Sequence, residues 1–173
     1  MKIVERLDKW NDNYQNGCLK DFETTGKVNW KSYSYIKNSS SPASNGIDPA
    51  DSKLLFISSA GGYLPANDKP FDACNILGDY SIREIPIQTD FSKIDFAHEH
   101  YDTAAVKQDA QVLLPFKHLQ KFVDESKIGE LCETAISFMG YQPDVNRILI
   151  ETIPAILEIA KVNKATAALL VPS

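Results

Sequence analysis

The chain has 173 residues, 43% apolar and 24% charged, a balance that supports a packed domain and excludes wholesale disorder. Lys and Arg number 18 against 23 Asp and Glu, a net charge of −5, which does not suit a phosphate backbone, so no nucleic-acid partner is expected. No apolar run nears the ~18 residues of a membrane span, and the charged opening MKIVERLDKWND lacks the apolar core of a signal peptide. The expectation is therefore a cytoplasmic protein with no membrane partner.

Residues 3–14 place Ile3, Val4, Leu7, Trp10 and Tyr14 at three- and four-residue steps, which predicts a helix closed by Gly17. Residues 19–37 carry Trp30, Tyr33 and Tyr35 in partial alternation and read as strand or loop. The stretch NSSSPASNGIDPADS, 38–52, crowds Ser, Asn, Pro and Gly together and reads as loop. It divides an N-terminal helical and aromatic extension, 1–52, from a domain over 53–173.

Within that domain Leu54-Leu55-Phe56-Ile57 is a short continuous apolar run, the signature of a strand covered on both faces. Ile82–Ile87, Gln111–Leu114 and Ala167–Val171 read as further strands, each closed by proline at or near its end. Helices are predicted over Thr103–Asp109, Phe116–Val123, Ile128–Phe138 and Asp144–Val162. The last carries the stripe Val145, Ile148, Leu149, Thr152, Ile153, Ile156 and Ala160, with Pro154 inside it. That proline removes the bond to residue 150, so a kink or a split is expected. Strands alternating with helices predict an α/β fold, a three-layer αβα arrangement on a mostly parallel sheet. Such sheets bind ligands at the carboxyl ends of their strands.

The polar clusters follow the predicted strand ends. Ser58-Ser59-Ala60-Gly61-Gly62-Tyr63 lets backbone N–H groups approach an anion closely, although it equally reads as a tight turn that needs glycine. It is neither a Walker loop nor GxGxxG, and no cofactor is expected. In Gly78-Asp79-Tyr80-Ser81-Ile82-Arg83, Arg83 suits a bidentate grip on a carboxylate and Asp79 suits an amine; an internal ion pair is the plainer reading. The densest cluster is His98-Glu99-His100-Tyr101-Asp102. In extended chain His98, His100 and Asp102 share a face, which suits an acid–base relay or, less well, a metal site for a hydrolase or lyase. Alternatively Asp102 caps the helix that follows. Tyr141, in Phe138-Met139-Gly140-Tyr141, could face the same cleft. His118 and the two lysines between Lys117 and Lys121 read as a solvated helix face.

Cys18, Cys74 and Cys132 are far apart and odd in number, which argues against a disulfide framework or a cysteine-rich zinc site. Cys132 beside His98 and His100 would make a histidine-activated thiol.

Phe56 to Tyr63, Gly78 to Pro86, His98 to Asp102 and Phe138 to Asp144, taken in this order, resemble the glycine/sarcosine/betaine reductase selenoprotein B family, which includes the D-proline reductase selenoprotein subunit. The resemblance spans roughly 53–172. It implies an α/β oxidoreductase module acting on a small amino-acid-type ligand by reductive C–N cleavage. It implies a pocket of Gly61, Gly62, Asp79, Arg83, His98, His100 and Asp102. With Ser59 and Tyr141 added from the residue reading, the expected site has Ser59, Gly61, Gly62, Asp79, Arg83 and Tyr141 for substrate binding and His98, His100 and Asp102 for catalysis. Longer members carry their redox cysteine or selenocysteine beyond the strand matching Ala167–Val171. None of the three cysteines here lies at a matching place, so a partner would supply the thiol or selenol, or the chain would be a non-catalytic binding module. An uncovered last strand predicts a homo-oligomer or a partner subunit that completes the sheet.

Overall fold

The computed structural model describes residues 4–29, 36–37, 39, 46–98 and 103–173. Trp30, Tyr33, Tyr35, His100 and Asp102, singled out from the sequence, lie outside the described residues. The elements run α1 (Leu7–Asn13), a π-helical turn Tyr14–Leu19, α2 (Lys20–Thr25), β1 (Lys53–Ser58), β2 (Gly62–Tyr63), β3 (Ile82–Pro86) and β4 (Asp95–Phe96). Then come α3 (Thr103–Gln108), α4 (Phe116–Asp124), β5 (Glu130–Leu131), β6 (Thr134–Phe138) and α5 (Val145–Arg147). A second π-helical turn, Ile148–Thr152, leads into α6 (Ile153–Val162) and β7 (Ala167–Val171).

β1 is the central strand. It pairs parallel with β7 on one side and with β5 and β6 on the other, and β3 joins β6 antiparallel. The sheet is thus mixed but mostly parallel, as the alternation of elements predicts. Leu54 faces Leu131 and Ile57 faces Ile136, so Cys132 and Glu133 form a bulge between β5 and β6. Alternation along β1 serves two cores. Leu54 and Phe56 join Ile85, Val106, Leu114 and Phe116 on one face. Leu55 and Ile57 join Cys132 and Ile136 on the other, beneath Ile156, Ile159 and Ala160 of α6. Two covered faces are why β1 is a continuous apolar run.

The structure corrects two expected elements. Ile128–Phe138 is not a helix but β5 and β6. Ala135, Ile136 and Ser137 are buried in succession, which a sheet covered on both sides achieves and one helix face does not. Gln111–Leu114 is not a strand: Ala110–Val112 is a 3₁₀ turn. The Asp109 side chain caps that turn by accepting from Gln111 N at 2.9 Å, and Leu114 drops into the core.

Helix boundaries move as well. The N-terminal helical run passes through Gly17 and ends at Gly26, whose φ of 69° is the left-handed geometry that glycine accepts most readily. Residues 19–25, expected as strand or loop, therefore continue that run. The kink or split expected at Pro154 is instead a widened turn: Ile148–Thr152 is π-helical, Thr152 and Ile153 keep right-handed helical angles, and the run continues into α6 with Pro154 in its first turn.

Candidate functional site

The carboxyl ends of β1, β6 and β7 form one rim, and the antiparallel β3 starts there, with Ile82 opposite Phe138. β1 leaves the sheet through Ser58 and Ser59. Ser58 Oγ accepts from Ala60 N at 3.2 Å, which turns the chain sharply. Gly61 then passes between two other segments: its N–H donates to Phe138 O at 3.1 Å, and its carbonyl accepts from Ala97 N at 3.0 Å. Its φ is 65°, and a Cβ there would lie 2.7 Å from Ala97 O and 2.8 Å from Met139 Sδ. Only glycine fits this crossing. Gly62 enters β2, opposite Phe96 of β4.

Three of the four sequence blocks therefore meet at Gly61: the diglycine turn, the segment that opens the histidine cluster, and the turn after β6. His98 follows Ala97 directly and is half-buried. Below the turn, Ser58 and Ser137 sit in register on neighbouring strands, both fully buried. Ser137 Oγ has no hydrogen-bond partner among the described residues. Two adjacent strand-end serines, one in each block, were the only sequence signal for this pair.

Ser59 faces the end of β7. Its Oγ accepts from Ser173 N at 3.0 Å, its carbonyl accepts from Ser173 Oγ at 2.9 Å, and its own N–H donates to Val171 O at 3.2 Å. In this state the N–H groups of Ser59, Ala60 and Gly61 are all spent on the protein, so an anion at this turn would have to displace one of those bonds.

Asp79 and Arg83 lie at the β3 edge of the same rim and are tied to one another through Ser81. Arg83 Nη1 donates to Ser81 Oγ at 2.9 Å, and Ser81 Oγ donates to Asp79 Oδ1 at 2.5 Å. Arg83 Nε and Nη2 both donate to Lys69 O, at 3.2 and 3.1 Å, and the guanidinium stacks 4.4 Å from the Phe71 ring. The second Asp79 oxygen accepts from Asp72 N at 2.9 Å. Together they staple the long 64–81 connection to β3. Burial pushes the Asp79 carboxyl up, but hydrogen bonds from Ser81 and Asp72 and the Arg83 charge outweigh it, and its pKa is lowered. A carboxyl lowered on folding stabilises the fold fully above its ordinary pKa, and that gain is lost as pH falls through the lowered one. Urea midpoints measured downward from pH 7 should show this loss in the wild type and a flatter acid limb in Asp79→Asn; equal slopes would remove Asp79 as its source.

Tyr141 points away from the Gly61 turn. Its hydroxyl donates to Ile76 O at 2.7 Å and also meets the Cys18 thiol, which anchors the N-terminal helical run. Around it is a polar network that sequence reasoning missed. Tyr80 Oη accepts from Asp144 N at 2.7 Å, Thr152 Oγ1 donates to Tyr80 O at 2.9 Å, and Gln142 Nε2 donates to Asp79 O at 3.0 Å. Arg147 lies 4.0 Å over the Tyr80 ring and grips Glu151 with two bonds, at 2.6 and 2.8 Å. Burial holds the Tyr80 hydroxyl protonated well above its ordinary range. The available signal was Thr152, a polar residue inside an apolar stripe.

The Cys132 thiol does not approach the rim. Cys132 N bonds Leu54 O at the amino end of β1, about 13 Å along the strand from Ser58 at 3.3 Å per residue. Burial raises the Cys18 and Cys132 thiols, so neither is a ready thiolate. Cys132 thus lies toward the opposite end of β1 from the turn that meets Ala97, which His98 follows, so the structure does not set this thiol beside His98. Among the described residues no three His, Cys, Asp or Glu side chains gather as metal ligands, and no helix is long and apolar enough to cross a membrane.

Comparison with known proteins finds a likeness to D-proline reductase subunit gamma of Acetoanaerobium sticklandii, 30% identical over 120 residues. The match takes in 69% of this chain and 48% of that protein, so the chain spans about half the length of the curated relative it matches. No protein-family model and no solved structure matches. The likeness supports a distant relation to a reductase that is built of subunits.

Proposed function

We propose that this chain is the scaffold and substrate-binding part of an amino-acid reductase, taking a small amino acid at the carboxyl rim of its sheet. The observation that carries the reading is the Gly61 crossing, where backbone bonds from Phe138 and Ala97 bring the diglycine turn, the β6 turn and the start of the histidine cluster together. The likeness to the D-proline reductase subunit supplies the substrate class. His98, His100 and Asp102 handle the proton, and Ser59, Gly61 and Gly62 bind the substrate's polar end once it displaces a bond at this turn, such as that from Ser173 N to Ser59 Oγ. Asp79, Arg83 and Tyr141 brace the site. Their polar groups are engaged with Ser81, Lys69 O and Ile76 O, which favours positioning over direct contact.

In the proposed reaction a thiol or selenol of a partner polypeptide attacks the carbon bearing nitrogen. The C–N bond breaks, its electron pair goes to nitrogen, and the histidine cluster gives nitrogen a proton. A second thiol of that partner then attacks the sulfur or selenium bound to carbon. That bond breaks, the carbon keeps its electron pair and takes up the proton the attacking thiol gives up, and the pair is left oxidised and the substrate reduced by two electrons. An external dithiol returns the pair to the reduced state.

Calorimetric titration with D-proline, using L-proline and glycine as comparators, tests binding without the redox partner. The wild type should bind one of them, and His98→Ala should weaken it by about tenfold, about 1.4 kcal/mol. A wild type that binds none of the three, or an unchanged affinity in His98→Ala, would sink the reading.

A further inference from the structure

β7 is bonded to β1 on one side, and among the described residues no strand pairs with its other edge. Exposed edges are normally blunted by charge, bulge or proline. The five residues Ala167–Val171 carry no charge and are regular throughout. Val171 O accepts from Ser59 N, so it faces β1. The two-residue period of a strand then turns the N–H and C=O groups of Ala168 and Leu170 outward.

The strand's own side chains are apolar. Ala167, Leu169 and Val171 pack on the α4 face of the sheet, so Leu170 projects on the α6 face, where it is 66% exposed. Ile159 and Val162 of α6 line a groove against Ile82 and Glu84 of β3, while Ile156 and Ala160 point down onto Leu55 and Ile57. Steps of 100° along the helix place Leu157, 51% exposed, on the opposite flank, toward β7. Leu157 and Leu170 are thus exposed apolar side chains on the side of the sheet that α6 covers, and Leu170 stands on the strand whose outer backbone groups face outward.

The order of residues in β7 selects the occupant. Antiparallel pairing with a second copy, centred on Leu169, sets Ala168 opposite the partner's Leu170 and Ala167 opposite the partner's Val171. Every small side chain then meets a large aliphatic one. Centring on Leu170 instead leaves both alanines facing the Pro172–Ser173 end. Pro172, which has no N–H, falls at an outward position and ends the ladder after the Ala168 and Leu170 pairs.

We propose that two copies of this chain pair antiparallel through β7, centred on Leu169, and join their sheets across a two-fold axis. The contact is self-complementary and closes at two copies. It does not depend on the reductase reading.

The test uses the full chain with Cys74, the exposed thiol, changed to serine; Cys18 and Cys132 are buried. Leu169 and its copy form a non-hydrogen-bonded pair with Cα atoms about 4.5 Å apart. Under mild oxidation Leu169→Cys should therefore give a covalent dimer. Ala167→Cys alone should not, because its copy lies about 13 Å away, four residues along, whereas mixing Ala167→Cys with Val171→Cys should give a mixed dimer. In sedimentation the unmodified chain should run as a dimer, and the surface variant Leu170→Lys should weaken association at least about tenfold with unchanged circular dichroism. A wild type that stays monomeric at all concentrations overturns the proposal. So does a dimer indifferent to Leu170→Lys, or cross-linking by Ala167→Cys alone.

Discussion

Gly61→Ala is expected to destabilise the protein by about 2–4 kcal/mol, from a left-handed backbone penalty of about 1 kcal/mol and overpacking of about 1–3 kcal/mol. The added methyl would press on Ala97 O and Met139 Sδ, at 2.7 and 2.8 Å. The sulfur can swing aside, but the carbonyl is held by the backbone, so the crossing itself must open. Opening it separates the diglycine turn from the segment leading to His98, and ligand affinity should fall along with stability. Gly17→Ala is the control. Nothing lies within 4 Å of its Cβ position, and it sits within a helical run, so it should gain about 0.5–1 kcal/mol. Urea unfolding of both variants decides the matter: similar midpoints would mean that the Gly61 crossing is soft.

Phe56→Ala should cost about 3–5 kcal/mol, the usual range for emptying a buried aromatic site. Phe56 is 1% exposed on the central strand and meets Phe116 edge-on, with centroids 5.6 Å apart. Phe116 in turn stacks on Phe91 at 5.9 Å, so a cavity at Phe56 loosens the whole packing between β1 and α4. The loss should appear as a lower urea midpoint with little change in slope. Combining it with Phe116→Ala should cost less than the two changes separately, because each removes the other's partner. Full additivity would show that the two rings pack independently.

Much of the fold was legible because its local patterns admit one structure. β1 is built on a four-residue apolar run closed by small residues, and α4 keeps its apolar positions on one face. β6 was not legible, because Ile128, Cys132, Ala135 and Ile136 also fit helical spacing. The pairing with β1 and β3, distant in sequence, decided it. Gly17 and Gly26 show the same limit: either glycine could end a helix, and the widened turn at Tyr14–Leu19 carried the helix past the first.

The candidate site divides in the same way. The residue types in each block, and their position after strands, were determined by sequence alone, since chemistry and periodicity are local properties. Their partners were not. Arg83 could serve a ligand or the protein, and only the path of the 64–81 connection places Lys69 O within its reach. Gly61 could cradle an anion or pass between two segments, and only the arrival of Ala97 and Phe138 from far along the chain commits its N–H and C=O. A strand or helix is specified by its own few residues, whereas the use of a hydrogen-bonding group depends on what the rest of the fold brings against it.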